Sequence, residues 1–401
     1  MSMTRAACGM LCALSITLAA GARAADPKPP EAKPAEAKPA EKKLKACFIY
    51  VGPVGDLGWS NAHDEARRLA EKALPGLETQ FVEAVPEAQG LPVIDRLVKS
   101  GCKVVFTTSF GYMDHTVEAA KKYPDVVFAH ATGFKRAPNL ATYMADFYQV
   151  YYLNGLMAGA LTRSGKVGYV AAFPIPELKR HISAFALGVT AARPGAVVNV
   201  KWINSWFSPQ KAREAAEALM VEGNDVLAFT EDTATVVQVA ARKKVPSFSH
   251  YSPMHRFAPD FVVSGQLVHW EKIYIDFLGK VQSGAYAAGK LKDVDYWWLL
   301  REGAVELGAQ TGMAINPKHV DALKKAQMTV GGKQVPVHDR VMELLKDMSS
   351  PDPKFDPFTG PLKDRNGAER VPAGRRMSVE ELNSMQWVAP GVMGPVADEP
   401  K

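Results

Sequence analysis

Short apolar runs alternate with longer amphipathic segments from residue 46 onward. The runs end at Gly, Pro or polar residues, as buried strands do, and the intervening segments repeat apolar positions with helical spacing. This alternation predicts βαβ units around a parallel sheet. In the first part of the chain the predicted strands are Ala46–Val51, Glu78–Ala84, Lys103–Thr107, Val126–Ala129 and Ala141–Met144, and the predicted helices are Asn61–Leu74, Pro86–Ser100 and Tyr112–Tyr123.

The same pattern starts again after residue 148. The predicted helices are Gln149–Thr162, Glu177–Ala192, Pro209–Glu222 and Ala234–Lys243, and the predicted strands are Lys166–Ala172, Val197–Asn204, Asp225–Phe229, Ser247–His250 and Phe261–Gln266. The chain changes over near Tyr143–Tyr148 and returns near His250–Pro253. We therefore predict an α/β fold of two Rossmann-like lobes joined by a hinge, a clamshell that closes around a ligand.

The pattern also suggests how the chain divides. We assign a signal peptide (1–24), a linker (25–45), a first lobe (46–145) with a returning segment near 254–300, a second lobe (146–253), and a C-terminal segment (301–401) that periodicity does not place in either lobe.

The first 24 residues have the features of a secretory signal. Arg5 precedes an apolar core, Ala6–Ala20, and Ala22-Arg23-Ala24 fits a small-x-small cleavage site. Cys12 follows Gly9-Met10-Leu11, a poor match to a lipoprotein signal. We expect a cleaved, soluble periplasmic product, followed by an extended Pro-rich spacer.

Composition excludes several classes of function. The 401 residues are 47% hydrophobic and 22% charged, with a net charge of +6 and no basic block of the kind that binds nucleic acid. The chain has no GxSxG, GxxxxGK[ST] or HExxH motif, and the turn Gly52–Asp56 does not fit GxGxxG. We expect no catalysis, no cofactor and no metal site. Cys47 and Cys102 could form a disulfide or remain buried thiols.

A polar and aromatic loop follows the first predicted strand. It carries Asp56, Trp59, Ser60 and Asn61 within a few positions. In an open parallel sheet such a loop is where ligands bind, and an aromatic ring beside hydrogen-bonding groups suits a flat small molecule. The alternative is a helix start, with Ser60 or Asn61 as its cap and Trp59 packed in the core.

Several motifs resemble those of a known family. Cys47–Ser60 (CFIYVGPVGDLGWS), Lys121–Phe128 (KKYPDVVF), Leu153–Gly159 (LNGLMAG) and Phe358–Asp364 (FTGPLKD) occur in the order found in the basic membrane protein family. These proteins, also called purine nucleoside receptor-like, bind solutes for ABC importers. The resemblance implies two lobes that close on one ligand without catalysis, and a permease as partner. We expect a monomer.

The resemblance also implies which positions contact the ligand. The candidates are Asp56, Trp59, Ser60, Asn61, Ser109, Phe110 and Asp114 in the first lobe, and Phe173, Trp206, Asp232, His250 and Tyr251 in the second.

Nucleoside-binding members usually hold ribose with an Asp and a Lys. Neither residue type occurs in the corresponding segments His250–Met254 and Leu267–Trp270. We therefore predict a purine base or another flat heteroaromatic compound, held without strong sugar contacts. The alternatives are a non-purine solute, a ligand-sensing protein that acts on a receptor, and a periplasmic enzyme acting on nucleosides, for which Asp56 and Asp232 are the only loose candidates.

Overall fold

The computed structural model describes residues 43–396. The predicted signal peptide and almost all of the linker lie outside the described residues.

The strands are β1 Leu44–Ile49, β2 Leu77–Val82, β3 Val104–Thr107, β4 Val127–Ala131, β5 Leu140–Ala145, β6 Lys166–Ala171, β7 Val197–Trp202, β8 Leu227–Thr230, β9 Ser247–Tyr251, β10 Val262–Val268, β11 Asp295–Trp298, β12 Val305–Leu307, β13 Gln327–Val330, β14 Lys333–Pro336, β15 Leu362–Lys363, β16 Glu369–Val371 and β17 Val392–Met393. The helices are α1 Trp59–Ala73, α2 Gly90–Lys99, α3 Met113–Lys122, α4 Tyr148–Leu161, α5 Pro176–Ala192, α6 Pro209–Val221, α7 Thr235–Arg242, α8 Trp270–Gln282, α9 Pro317–Lys325, α10 Val337–Met348 and α11 Val379–Asn383.

Two sheets form the cores of the two lobes. The first has the order β11-β5-β4-β3-β1-β2, and all its strands run parallel. The second has the order β12-β10-β9-β8-β6-β7-β17, in which only β12 is antiparallel to its neighbour. Helices cover these sheets, so the inner strands read as continuous apolar runs rather than alternating ones. The predicted two-lobe α/β class is confirmed.

Within residues 43–396 the chain crosses between the lobes three times. The first crossing joins β5 to α4, close to the predicted change-over. The predicted return near His250–Pro253 is wrong, because β10 pairs in parallel with β9 and keeps residues 262–268 in the second lobe. The chain returns to the first lobe at His269, where α8 begins and packs against α1. It crosses again between β11 and β12.

The described part of the C-terminal segment packs mainly on the second lobe. Helix α10 lies against α4, α11 lies against α5, and β17 adds a parallel strand beside β7. These contacts are non-local, and this is why periodicity left the segment unassigned. Within residues 43–396, no helix is both long enough and apolar enough to span a bilayer.

Cys47 and Cys102 form a disulfide. Cys47 lies in β1, Cys102 lies just before the neighbouring strand β3, and their Cα atoms are 5.9 Å apart. This spacing is within the usual range for a disulfide. Strand pairing, which sequence spacing alone does not show, therefore decides between the two alternatives for these cysteines.

Candidate ligand-binding site

A small cavity lies between the lobes, and we call it the cleft cavity. Its lining combines aromatic rings with hydroxyl and carboxyl groups. Nine residues line it: Val51, Trp59, Ser109, Phe110, Thr132, Glu177, Trp206, Asp232 and Tyr251.

The topology explains why these positions meet. Val51, Ser109 and Thr132 lie just beyond the carboxyl ends of β1, β3 and β4 in the first sheet. Trp206 and Asp232 have the same relation to β7 and β8 in the second. Because parallel strands end at the same edge of a sheet, each lobe presents its loops at one edge, and the two edges face each other.

Trp59 is held firmly at the start of α1. Its indole N–H donates a hydrogen bond to the carbonyl of Thr108, and only 6% of the residue is exposed. Its ring meets those of Tyr251 and Trp270 edge-on, at centroid distances of 5.3 and 5.2 Å. The indole is therefore oriented by the protein before any ligand makes contact with it.

Two lining residues have unusual backbone conformations. Tyr251 has φ 62° and Thr132 has φ 61°, a region that side chains other than Gly and Asn rarely adopt. The hydroxyl of Thr132 also has no hydrogen-bond partner. Such conformations persist only where the surrounding structure enforces them, and they cluster at ligand sites.

Asp232 is the most isolated polar group of the cleft cavity. The residue is 1% exposed, and neither carboxyl oxygen has a hydrogen-bond partner of normal geometry. Burial raises the pKa of Asp232 well above its usual value, and the charges of Asp56 and Glu231 raise it further. The backbone N–H of Trp59 opposes this rise only in part.

Glu177 is the second carboxyl group in the lining. It is 7% exposed and lies in the first turn of α5. Burial raises the pKa of Glu177 to about 8, although the nearby Arg180 acts in the opposite direction. Among the nine lining residues there are thus two acids and no base.

Six of the twelve predicted positions line the cleft cavity. They are Trp59, Ser109, Phe110, Trp206, Asp232 and Tyr251.

Asp56, Ser60 and Asn61 lie outside the lining. The Asp56 carboxylate accepts hydrogen bonds from the backbone N–H groups of Gly58, Ser60 and Asn61, at 2.7, 3.2 and 3.0 Å. The Ser60 hydroxyl accepts one from the N–H of Gly52 at 3.0 Å. The alternative of a helix start therefore describes this loop, with Gly58 at the N-cap position and with Asp56, rather than Ser60 or Asn61, accepting the N–H groups of the first turn.

Asp114, Phe173 and His250 do not line the cavity either. Asp114 is exposed and forms an ion pair with Lys135 at 2.5 Å. Phe173 packs edge-on against Trp206, with ring centroids 5.1 Å apart, and so supports a lining residue. His250 is fully buried behind Tyr251, where its Nδ1 lies 3.0 Å from the hydroxyl of Tyr151.

Val51, Thr132 and Glu177 were missed. Val51 and Thr132 follow strand ends, so the rule for parallel sheets could have found them. Glu177 resembles an ordinary acid in the first turn of a helix, where the helix dipole favours negative charge. The sequence around Glu177 does not distinguish it from such an acid. It lines a cavity only because the other lobe lies opposite it.

A family model described as "ABC transporter substrate-binding protein PnrA-like" matches residues 43–337. The chain belongs to this family. Substrate-binding proteins of this kind act outside the cytoplasm, bind a small ligand without transforming it, and partner with a membrane permease.

Curated relatives agree with this membership, and a solved structure shares the fold. A purine-binding protein of Brucella abortus is 37% identical to this substrate-binding protein over 88% of the chain and 93% of its own length. A Haloferax volcanii protein, named as an ABC transporter glucose-binding protein, is 37% identical over 66% of the chain and 65% of its own length. The structure of a solute-binding protein from Aeropyrum pernix aligns with a TM-score of 0.59 and 20% identity, covering 77% of this chain and 87% of that one.

Proposed function

We propose that this substrate-binding protein holds a purine base in the cleft cavity and delivers it to the permease of an ABC importer. The lining supports the proposal. Aromatic rings from both lobes surround a space that also contains the carboxyl group of Asp232, whose oxygens have no hydrogen-bond partner of normal geometry among the described residues. The Brucella abortus relative, which is named as purine-binding, supports the same ligand class.

The aromatic residues suit a planar ligand. Trp59 and Phe110 belong to the first lobe, and Trp206 and Tyr251 belong to the second. Aromatic pairs contribute about 0.5–1.5 kcal/mol beyond the area they bury. Because the rings come from both lobes, a flat base held between them favours the closed arrangement over the open one.

The polar residues suit the edge of a base better than a ribose. Asp232, Glu177, Ser109 and Thr132 offer carboxyl and hydroxyl groups around the aromatic rings. The lining lacks a lysine, the residue type that family resemblance associates with sugar hydroxyls. A free base therefore fits the groups present more completely than its nucleoside does.

Glucose is the second candidate, because the Haloferax volcanii relative named for it is as similar in percentage identity. Aromatic and carboxyl groups also occur in sugar sites. The two candidates differ in how strongly binding depends on Trp59. A base stacks its flat ring on aromatic side chains, so its affinity should depend more on the indole ring than the affinity of glucose does.

Isothermal titration calorimetry distinguishes these ligands. We expect purine bases to bind more tightly than their nucleosides and more tightly than glucose. Trp59→Ala should weaken binding of the base by about 2–4 kcal/mol, from lost burial and stacking. Phe207→Ala is the matched control, because Phe207 is 40% exposed and lies beside Trp206 without lining the cavity.

Tighter binding of glucose or of nucleosides would refute the proposal of a free base. Equal effects of Trp59→Ala and Phe207→Ala would refute the placement of the site.

We further propose that the protein functions as a monomer in the periplasm after cleavage following Ala24. The leader pattern at Ala22-Arg23-Ala24 supports export, and the family is extracytoplasmic. Export through a cleaved leader agrees with the Cys47–Cys102 disulfide, since disulfides persist in oxidising compartments.

A further inference from the structure

We propose that Glu87, which lies outside the lining of the cleft cavity, is a positioning residue for ligand binding. Its carboxylate holds the loop that carries Ser109 and Phe110 into the cavity. This inference rests on the proposed function for its ligand and goes beyond it by naming a residue that acts through others.

The Glu87 carboxylate accepts two hydrogen bonds from this loop. Its Oε1 atom accepts the hydroxyl of Ser109 at 2.5 Å and the backbone N–H of Gly111 at 2.8 Å. The two donors flank Phe110, so one oxygen atom is bonded on both sides of that residue. Hydrogen bonds to a carboxylate are roughly twice as strong as those between neutral groups.

The hydroxyl of Ser109 does not cap its own turn. Ser109 occupies the N-cap position of the short 3₁₀ turn Phe110–Tyr112, where a serine hydroxyl usually accepts a backbone N–H. No such bond forms here, and the hydroxyl donates to Glu87 instead. Glu87 therefore determines the direction of a hydroxyl group that lines the cleft cavity.

Phe110 differs from the other aromatic residues of the lining in how it is held. Trp59, Trp206 and Tyr251 pack against the large apolar cluster of the protein, whereas Phe110 belongs to none of the apolar clusters formed by residues 43–396. The position of the Phe110 ring therefore depends on its backbone, which the contacts to Glu87 hold.

The segment that carries Glu87 is itself anchored. The backbone N–H of Val85 donates to the carbonyl of Tyr50 at 3.0 Å, and the carbonyl of Val85 accepts the hydroxyl of the fully buried Tyr112. A residue that positions others needs such support, and Glu87 has it although its own side chain is only partly buried.

Gly111 allows the carboxylate to lie against the loop. A Cβ atom added to Gly111 would lie 2.6 and 2.7 Å from the two carboxylate oxygens of Glu87. Because these atoms are the end of a flexible side chain, Gly111→Ala should fold and displace the carboxylate. The same contact can therefore be broken from either partner.

Calorimetric titration with adenine tests this role. We expect Glu87→Ala to bind adenine about tenfold more weakly than wild type, because the ligand then has to order Ser109 and Phe110 as it binds. Glu87→Gln should restore most of the affinity, since its amide oxygen can accept both hydrogen bonds. Gln89→Ala is the control, because Gln89 belongs to the same turn and its exposed side chain caps nothing.

Gly111→Ala should weaken binding to a similar degree. In that background Glu87→Ala should have little further effect, because the two substitutions remove one interaction.

Hydrogen exchange in the ligand-free protein tests the same role without adenine. The amides of residues 109–112 should exchange faster in Glu87→Ala than in wild type, because the N–H of Gly111 loses its acceptor. They should exchange at nearly the wild-type rate in Glu87→Gln. The amides of β3, which precedes the loop, should be unchanged in both variants.

The outcomes separate the two proposals. If adenine does not bind wild-type protein, the proposed function fails, and exchange in the loop alone decides the role of Glu87. Wild-type affinity in Glu87→Ala, unchanged exchange in the loop, or a loss of affinity that Glu87→Gln does not restore overturns the positioning role and leaves the proposed function standing. Faster exchange throughout Glu87→Ala would mean a general loss of stability, and Gly111→Ala then decides.

Discussion

Asp56 organises the binding loop without touching the cleft cavity. Its carboxylate accepts the N–H groups of Gly58, Ser60 and Asn61, so the start of α1 has a defined orientation. Trp59 lies within this capped turn. Burial raises the pKa of Asp56 to about 6, although the three backbone N–H groups oppose the rise. In the proposed site, Asp56 would therefore influence the ligand only through the position it gives to Trp59.

Glu177 should make stability depend on pH. Its pKa is about 8 in the folded protein and 4.5 without the fold, so the folded state holds the extra proton between these values. Stability therefore falls as pH rises through this window. Between pH 6.5 and 8, we expect the free energy of unfolding of Glu177→Gln to fall less steeply with pH than that of wild type, by up to about 1.4 kcal/mol per pH unit. Urea unfolding at several pH values measures the slope.

His269 also titrates in this range and does not obscure the comparison. The pKa of His269 is raised to about 9 by Glu271 and Glu306, which gives a slope of the same sign, and His269 is present in both proteins. Identical slopes for wild type and Glu177→Gln would contradict the assignment of a buried, protonated Glu177.

Helix α5 links the cavity to the hinge. Arg180, one turn after Glu177, is 2% exposed in its side chain and is paired with the fully buried Asp146 at the first crossing. It also donates to Leu382 in α11 and stacks on Trp297 of β11 at 5.0 Å. Burial alone would raise the pKa of Asp146, but the charge of Arg180 holds it well below its usual value. The Arg180 side chain thus contacts the first crossing, the edge strand β11 of the first sheet and the C-terminal segment.

Replacing Arg180 should be strongly destabilising. Arg180→Leu leaves the Asp146 carboxylate buried without its partner, and we expect a loss of about 3–5 kcal/mol in the free energy of unfolding. Asp146→Asn in the same chain removes the uncompensated charge, so the double variant should be more stable than Arg180→Leu alone. Urea unfolding of both proteins tests this, and a loss below about 1 kcal/mol for Arg180→Leu would show that the pair is unimportant.

The two lobes touch directly at the cleft. A Cβ atom added to Gly58 of the first lobe would lie 2.6 Å from the Cα atom of Asp232 in the second. Close by, the Ser252 hydroxyl donates to the side-chain oxygen of Asn61 at 3.4 Å. Only glycine allows the backbones to approach this closely, and we infer that Gly58 limits how far the clamshell closes.

Gly58→Ala should prevent full closure. The added methyl group meets backbone atoms of Asp232, which cannot rotate away as a side chain can. We expect the variant to bind adenine about tenfold or more weakly, since complete closure brings both sets of aromatic rings onto the ligand. Small-angle scattering should show ligand-induced compaction in wild-type protein and less compaction in the variant.

Gly55→Ala is the control for this experiment. Gly55 lies in the same loop, and a Cβ atom added there has no atom within 4 Å. It should bind and compact like wild type. If Gly58→Ala does so as well, contact between Gly58 and Asp232 does not limit closure.

Local pattern was enough to predict most of the architecture. Continuous apolar runs predicted the inner strands, helical periodicity predicted the helices between them, and the restart of the pattern predicted a second lobe. Burial of one face gives a helix or strand a periodic pattern of apolar residues, and burial of both faces gives a strand a continuous apolar run. Both patterns can be recognised without knowing which elements pack against that element. The loop around Trp59 was found for a similar reason, since it follows a parallel strand.

Only the tertiary structure decided which strand joins which sheet and which side chains meet. Strand β10 has the same apolar character in either lobe, and its pairing with β9 placed it in the second. Asp56 and Asp232 are both acids after strands, yet three backbone N–H groups satisfy the first, while the oxygens of the second have no hydrogen-bond partner of normal geometry and face the cavity. Hydrogen-bond partners and cavity walls come from residues far apart in the chain. The local sequence therefore gives the type of each side chain but not the groups that it contacts.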